Sequence, residues 1–434
     1  MSFVFVLDTN KRPLDPIQPG RARLLLTQQK AAVFRQFPFT IILKEAQPVA
    51  PPASLRVKID PGSKTTGLAL VNDMTGEVLW AAELTHRGQQ VKDALDARRA
   101  TRRGRRQRHT RYRPPRFNNR TRPKGWLPPS LVSRIQNVVT WVQRLQRLAP
   151  IRAISFELVR FDLHLMEHPD ISSIDYQHGT LAGREAREYL LLKWNYRCAY
   201  CHQEATRWEV DHIIPRSRLG TSNRIKNLAL ACHACNHEKG DRTAAEYGHP
   251  EVQVQACKPL KDAAAVNSTR WALYERLKQM DLPVETGTGG RTQWNRTQRE
   301  LPKAHWIDAA CVGVSTPSTL STRGVMPLRI KASGRHSRQM CKMDRYGFPV
   351  GKAKGPSIVF GWHTGDMVHA IVPTTSKKVG TYIGRVAIKS DGYFKITGTF
   401  GIVEGIHARY CHPLHRNDGY GYEYRKEAAL PPHA

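Results

Sequence analysis

The sequence is short of acidic residues. Its 434 residues include 36 Asp or Glu against 68 Lys or Arg, which gives a net charge of +32 and an isoelectric point near 10.2. No acidic residue occurs between Asp96 and Glu157. A net charge this large favours a polyanionic partner, and nucleic acid is the first expectation. Acidic lipid is the alternative, but proteins that bind it usually show a concentrated amphipathic helix, so no membrane partner is expected.

Long hydrophobic runs are also missing. No apolar stretch approaches the roughly 18 residues that a transmembrane helix needs. The apolar stretch from Val4 to Leu7 is too short for a signal peptide and no basic segment precedes it. We therefore expect a cytoplasmic protein. Its eight cysteines are then expected to be thiols or metal ligands rather than disulfides.

Hydrophobic periodicity predicts a mixed α/β chain. Strands are predicted at 3–7, 39–43 and 151–158, and helices at 21–34, 131–148, 183–194, 268–280 and 305–314. Ser268 or Thr269 is the expected N-cap of its helix. Residues 55–85 predict a hairpin that turns at Asp60-Pro61-Gly62. Short β-prone runs separated by glycines across 346–425 predict a small barrel or sandwich.

An arginine-rich segment follows the hairpin. Twelve arginines fall between Arg98 and Arg122, and the first part of this segment predicts a helix that is basic on most faces. Such a helix would repel itself in water, whereas a nucleic-acid backbone alongside would neutralise it and release counterions. A disordered basic tail is the alternative interpretation. The predicted nucleic-acid contacts are Arg98, Arg99, Arg102, Arg103, Arg105, Arg106, Arg108, Arg111 and Arg113.

Two Cys-x-x-Cys pairs predict a structural zinc site. The pairs are Cys198 with Cys201 and Cys232 with Cys235. In an intracellular chain this pattern is typical of tetrahedral zinc, and four thiolates leave no open coordination position. His233 could replace one ligand, and four buried free cysteines remain the alternative.

The segment between and after these pairs resembles the HNH nuclease pattern. The resemblance rests on Asp211-His212, on Asn227, and on the run from Cys235-Asn236 to Lys239-Gly240. The pKa range of histidine suits His212 as a general base. Asp211 and Asn236 offer the hard oxygens that Mg²⁺ prefers. Asn227 is predicted to orient the His212 ring through a side-chain or backbone hydrogen bond.

Four further residues resemble the centre of RuvC nucleases, which have an RNase H-like fold. Asp60 and Glu157 lie at the ends of predicted strands, and His305 and Asp308 share one face of a predicted helix. Asp60, Glu157 and Asp308 would repel one another without a cation, which favours Mg²⁺ binding. The resemblance implies that two Mg²⁺ ions bind here and that His305 takes part in catalysis.

The order of these parts resembles the IscB family, transposon-encoded relatives of the type II CRISPR nucleases. The implied fold is a multidomain α/β chain in which an RNase H-like core is split by an Arg-rich bridge helix and a zinc-stabilised ββα-metal HNH insert. The expected segments are a Pro-Leu-Met-Pro-like module at 1–52, RuvC parts at 53–85, 123–180 and 256–330, the bridge helix at 86–122, the HNH insert at 181–255, and a basic connector with a β-rich domain at 331–434. Pro13-Leu14-Asp15-Pro16 departs from the family's motif at its third position.

The resemblance implies a structured omega RNA that acts as guide, a double-stranded DNA target with an adjacent motif, and a monomeric ribonucleoprotein that works at the prokaryotic nucleoid. The HNH centre would cut the guide-paired strand and the RuvC centre the displaced strand. Two alternatives stay open: a protein-guided HNH or homing-type endonuclease, and an RNA-binding protein with idle nuclease sites.

Overall fold

The structure is a computed structural model that describes part of the chain. It covers residues 2–46, 53–108, 126–158, 187, 189–191, 193–205, 207–258, 263–334, 341, 343–346, 348–351 and 358–424, with the backbone alone for 263–268. Arg111 and Arg113, and most of the helix predicted at 183–194, lie outside these residues. None of the described helices is both long enough and apolar enough to cross a membrane.

The secondary structure is mixed α/β throughout, as predicted. Up to residue 158 the elements are strands β1 (Val4–Leu7), β2 (Pro13–Ile17), β3 (Ala31–Arg35), β4 (Thr40–Leu43), β5 (Leu55–Asp60), β6 (Thr65–Asn72), β7 (Val78–Thr85) and β8 (Ile151–Glu157), and helices α1 (Pro19–Thr27), α2 (Gly88–Gln107) and α3 (Pro129–Gln146).

The middle of the chain carries the remaining helices. It contains strands β9 (Trp208–His212), β10 (Leu228–Cys232), β11 (Val284–Gly287) and β12 (Leu328–Ala332), and helices α4 (His233–Lys239), α5 (Pro250–Cys257), α6 (Ala263–Lys278), α7 (Gly289–Thr297) and α8 (His305–Ala310). After these come strands β13 (Ile358–Val359), β14 (Trp362–His363), β15 (Met367–Val372), β16 (Gly380–Ala387), β17 (Tyr393–Gly398), β18 (Gly401–His407), β19 (Cys411–His415) and β20 (Tyr420–Tyr424).

The chain divides into two compact units. The first comprises Met1–Ala53, Leu79–Ile151 and Arg323–Ala434. It contains an N-terminal sheet in the order β2-β1-β4-β3, the parallel pair β7 and β12 with β20 antiparallel to β12, and an antiparallel sheet in the order β18-β17-β16-β15-β19. The predicted β-rich C-terminal region is confirmed. Among the described residues of this region, β15 to β19 form this five-stranded sheet, β13 and β14 pair as a ribbon, and β20 pairs with β12.

Part of the core of the first unit is a pair of stacked tryptophans. Trp80 of β7 and Trp141 of α3 stack with ring centroids 6.1 Å apart, and both are buried. Helix α3 begins with Pro129 at its first turn, where proline is well tolerated. Its apolar residues recur every three or four positions and are buried, as the periodicity predicts.

The second unit comprises Ser54–Val78 and Arg152–Thr322. Four of its strands lie in the order β11-β8-β5-β6, with β5 and β6 antiparallel and β8 and β11 parallel. Helix α8 packs on β5 and β6 because β6 has a glycine there: a Cβ on Gly67 would lie 1.8 Å from the carbonyl oxygen of His305. This close approach brings α8 to the strand that ends at Asp60.

Three predicted helix boundaries are wrong. The helix predicted at 21–34 ends at Thr27, because Gln29 takes a left-handed φ of 56° and Ala31–Arg35 pairs with β4. The helix predicted at 268–280 starts at Ala263, since three alanines extend it, and Ser268 and Thr269 therefore lie inside it rather than at its N-cap. The helix predicted at 305–314 ends at Ala310, ahead of the left-handed Gly313.

Candidate active sites

The predicted carboxylates of the second unit line one cavity. Asp60 is the last residue of β5, Glu157 is the last residue of the neighbouring strand β8, and Asp308 lies one turn into α8. Together with His305 they border a cavity of about 310 Å³. The structure thus brings together four residues that are up to 248 positions apart in sequence.

The electrostatics of this cavity reflect crowded negative charge. Burial raises the pKa of Asp60 well above its usual value, and the carboxylates of Glu157 and Asp308 raise it further. Burial also raises the pKa of Asp308 to about 6, against the opposing effect of the Arg296 guanidinium. A divalent cation would stabilise the ionised form of carboxylates that raise one another's pKa. These residues therefore fit Mg²⁺, which prefers oxygen ligands.

Two arginines that the sequence analysis missed partly neutralise the cavity. Arg270 of α6 lies with Nη2 3.1 Å from Glu157 Oε1, and both side chains are buried. Arg296 of α7 places Nε 3.0 Å from Asp308 Oδ1. These carboxylates line one cavity, but among the described residues their oxygens do not lie as close to one another as the Sγ atoms of the four cysteines described next.

The four predicted zinc ligands form a compact cluster. Their Sγ atoms all lie within 4.8 Å of one another, and among the described residues this is the one group of potential ligands that close together. Cys201 Sγ and Cys232 Sγ are 3.9 Å apart. Burial raises the pKa of Cys198 and outweighs the backbone hydrogen bonds that lower it. Four thiols at this spacing can hold a metal ion, and soft sulfur ligands suit zinc.

Asp211 belongs to β9, in the hairpin of β9 and β10, and bonds to a residue of the first cysteine pair's turn. Tyr200, which stands between the first two cysteines, donates its hydroxyl hydrogen bond to Asp211 Oδ2. Lys239 of α4 donates to Asp211 Oδ1 at 3.0 Å and to the His212 carbonyl oxygen at 2.9 Å. Both oxygens of this buried carboxylate therefore have hydrogen-bond partners within the protein. Burial, and then the Asp211 carboxylate, raises the pKa of Tyr200.

His212 and Asn227 occupy different places. The ring Nε2 of His212 lies 3.0 Å from Asn223 Oδ1 and 3.3 Å from Arg216 Nε. Asn227 is buried, and its side chain accepts from the Ile214 N–H at 2.9 Å and donates to the Ile214 carbonyl oxygen at 3.1 Å. Asn227 therefore holds the backbone after His212. The hydrogen bond predicted from Asn227 to His212 itself is replaced by one between Asn223 and the ring.

Asn236 lies on the first turn of α4 beside a glutamate. Its Nδ2 donates to Glu209 Oε2 at 2.7 Å, and Glu209 Oε1 lies 2.8 Å from His233 Nδ1. Hydrogen bonds from Asn236 and His233 lower the pKa of Glu209. The sequence carried a signal for Glu209, because it stands two residues before Asp211 on the same strand and so on the same face.

The predicted arginines that the structure describes lie on α2 and just after it. They are exposed or half-buried, and Arg108 stacks on the Tyr346 ring 5.0 Å from its centroid while donating to the Tyr346 carbonyl oxygen at 2.6 Å. Arg105 lies 5.8 Å from the centroid of the Phe348 ring. An exposed basic helix of this kind can accompany a phosphate backbone.

Two family models match this chain. Residues 4–179 match the family described as RRXRR protein. Residues 198–242 match HNH endonuclease, a span that includes the cysteine cluster, Asp211, His212 and Asn236. The chain therefore contains an HNH endonuclease domain, and this match supports the interpretation that the chain is a nuclease.

The similar proteins are Cas9 nucleases, and each match is partial. The CRISPR-associated endonuclease Cas9 of Corynebacterium diphtheriae is 45% identical over 49 residues, which cover 11% of this chain and 4% of that protein. A crystal structure of Streptococcus thermophilus Cas9 in complex with the GGAA PAM aligns at 13% identity and a TM-score of 0.22, over 60% of this chain and 32% of that one.

A second solved structure, the Type II-C Cas9 enzyme from Actinomyces naeslundii, aligns at 13% identity and a TM-score of 0.16, over 71% of this chain and 45% of that one. The chain thus spans less than half the length of these Cas9 proteins. TM-scores this low establish no shared fold. The family models and the local sequence match support a Cas9-like HNH nuclease.

Proposed function

We propose that this chain is an RNA-guided DNA endonuclease of the IscB family, with one centre for each strand of the target. The observation that carries the proposal is that one compact unit holds two separate residue sets suited to phosphodiester hydrolysis. One set is His212 beside Asp211 in the HNH domain. The other is the group of carboxylates around the cavity at Asp60. A strand order of β11-β8-β5-β6 supports an RNase H-like core around that cavity.

The HNH centre would cut the guide-paired strand. His212 at the end of β9 would take a proton from the attacking water, and the hydrogen bond from the Ile214 N–H to Asn227 would keep the following backbone in place. Asp211 and Asn236 are the residues that would hold Mg²⁺, and the four cysteines would hold a structural Zn²⁺. At either centre, Mg²⁺ would supply a Lewis acid for the phosphate and lower the pKa of the attacking water.

The cavity at Asp60 would cut the displaced strand. Asp60, Glu157 and Asp308 would hold Mg²⁺, and His305, which borders the same cavity at the start of α8, would exchange a proton with the substrate. Arg270 and Arg296 balance the negative charge until a cation arrives. The exposed arginines of α2 would bind the RNA backbone, and base pairing by the guide would read the DNA sequence.

The test is to express the chain with its native flanking DNA and to sequence the nucleic acid that copurifies. The complex is then given a plasmid that matches the variable end of that RNA, with each DNA strand labelled separately, in Mg²⁺ or in EDTA. We expect a discrete RNA and Mg²⁺-dependent cutting at the matching site alone. Cutting at one fixed site without RNA would instead favour a homing-type endonuclease, and bound RNA without cutting would favour an idle RNA-binding protein.

Strand-selective variants test the two centres. Removing a general base costs roughly 10²–10⁴-fold in rate, so His212→Ala should lose that much cutting of the guide-paired strand and leave the displaced strand unaffected. Asp60→Ala and Glu157→Ala should show the reverse pattern. Each variant is the control for the others, because the strand it spares reports folding and RNA loading. Loss of both cuts from His212→Ala would contradict two independent centres.

A further inference from the structure

Glu209 makes two hydrogen bonds with one carboxylate at the edge of the HNH centre. Oε2 accepts from Asn236 Nδ2 at 2.7 Å, and Oε1 lies 2.8 Å from His233 Nδ1. Arg207 Nε is a more distant neighbour, 3.6 Å from Oε1. We propose that Glu209 is a positioning residue that fixes which atom of the Asn236 amide faces the bound cation. The inference rests on the proposed function, since it concerns the metal ligand Asn236.

The local fold places Glu209 where it can hold both partners. Glu209 lies on β9 opposite Ala231 of β10, and α4 starts immediately after β10. His233 and Asn236 are three positions apart on α4 and so share the helix face that turns back toward β9. One carboxylate therefore spans the first turn of α4 and ties it to the strand that carries Asp211.

Asn236 needs such a partner because its side chain is nearly symmetrical in shape. The amide oxygen and nitrogen can exchange places by a half-turn, and only hydrogen bonding distinguishes the two states. An ionised carboxylate only accepts hydrogen bonds, so Nδ2 must face Glu209 and Oδ1 must face away from it. A hard cation takes the oxygen and is repelled by the NH₂ group. Glu209 thus holds Asn236 in the state that binds a cation.

The first experiment measures the Mg²⁺ concentration for half-maximal cutting of the guide-paired strand in the RNA-loaded complex. Loss of a residue that orients a metal ligand costs roughly 10–100-fold in metal affinity, so Glu209→Ala should raise this concentration by at least about tenfold. Glu251→Ala is the matched control, because Glu251 pairs in the same way with His249, at 3.1 Å, elsewhere in the insert. Glu251→Ala should leave the Mg²⁺ dependence unchanged. Cutting of the displaced strand and the zinc content report the fold of each variant.

A second background separates orientation from simple structural support. In Asn236→Asp the ligand is a carboxylate, which offers an oxygen in either orientation and is repelled by Glu209. Glu209→Ala should therefore weaken metal binding strongly in the parent and much less in the Asn236→Asp background, where the orientation of the ligand no longer matters. A smaller loss in the Asn236→Asp background supports the proposal, whereas an equal loss in both backgrounds would overturn it, because a merely structural Glu209 would act alike in each.

Binding of Mn²⁺ gives a readout that does not depend on cutting. It is measured by electron paramagnetic resonance on the complex with target DNA, in an Asp60→Ala background that disables the other cavity. Weaker Mn²⁺ binding in Glu209→Ala than in Glu251→Ala supports the positioning role. Equal Mn²⁺ binding by Glu209→Ala and Glu251→Ala, in a complex that cuts DNA, would contradict the role of Glu209 without contradicting the proposed function. A parent complex that binds Mn²⁺ at this centre but cuts neither strand contradicts the proposed function alone.

Discussion

The substitution Cys198→Ser tests the proposed zinc site, and the structure sets the size of the expected effect. The cluster joins the first cysteine pair to the second, and Cys201 and Cys232 are 31 positions apart in sequence. Closing a loop of that length in the unfolded chain corresponds to about 4 kcal/mol in the chain-entropy model, a gain that a metal clip shares with a disulfide. A thiolate replaced by a hydroxyl removes one of four soft ligands and weakens zinc binding accordingly.

We therefore expect Cys198→Ser to lose its zinc and to destabilise the HNH insert by about 4 kcal/mol, roughly a thousandfold in the local opening equilibrium. Hydrogen exchange at the amides of β9 and β10 measures this opening, and elemental analysis measures the zinc. The control is Cys257→Ser, because Cys257 is exposed and outside the cluster. One zinc per chain and parent-like exchange in Cys198→Ser would refute the assignment of this ligand.

Three further substitutions probe other contacts. Asp418→Asn should lower the free energy of unfolding by about 2 kcal/mol at pH 7, because hydrogen bonds and charges around Asp418 lower its pKa in the folded protein from 3.8 to about 2 despite burial. This contribution is fully present above pH 3.8 and is lost as the pH falls through 2. A difference between variant and parent in denaturant unfolding that stays constant down to pH 2 would contradict this reasoning. Gly67→Ala should slow cutting of the displaced strand alone, measured with strand-specific labels, because its Cβ would lie 1.8 Å from the His305 carbonyl oxygen and push α8 away; equal slowing of both strands would count against this reason. Lys239→Met should destabilise the insert by about 3–5 kcal/mol in hydrogen exchange, because it leaves the buried Asp211 carboxylate without its cation, and unchanged protection would show that Tyr200 alone suffices.

Local patterns predicted part of the secondary structure. The strands at 3–7, 39–43 and 151–158 and the helix at 131–148 are confirmed, because alternating or three-to-four-residue apolar spacing is set within a few neighbouring residues. The hairpin that turns after Asp60 is confirmed for the same reason. The wrong helix boundaries depend on less local causes, since Ala31–Arg35 is a strand through its pairing with β4.

The candidate sites likewise contain features that follow from local spacing and features that depend on tertiary packing. The cysteine cluster was predictable because two cysteines separated by two residues can both bend toward one ion. The catalytic role of His212 rests on its neighbours in the HNH pattern and stays a prediction. Glu209 could have been found from its spacing to Asp211 on one strand. The contact of Asn223, rather than Asn227, with the His212 ring could not have been found in this way, because it depends on how the loop after His212 folds back.

The sequence by itself determined the chemistry available to this protein. Its charge, its paired cysteines and its HNH pattern are properties of composition and short spacing, and no tertiary contact is needed to read them. Only the tertiary structure decided which cationic side chains neutralise the buried carboxylates. Arg270 meets Glu157 across 113 positions and Lys239 meets Asp211 across 28, and such pairs follow from packing rather than from spacing. Burial makes these partners obligatory, because a carboxylate removed from water must find a cation, a proton or a metal.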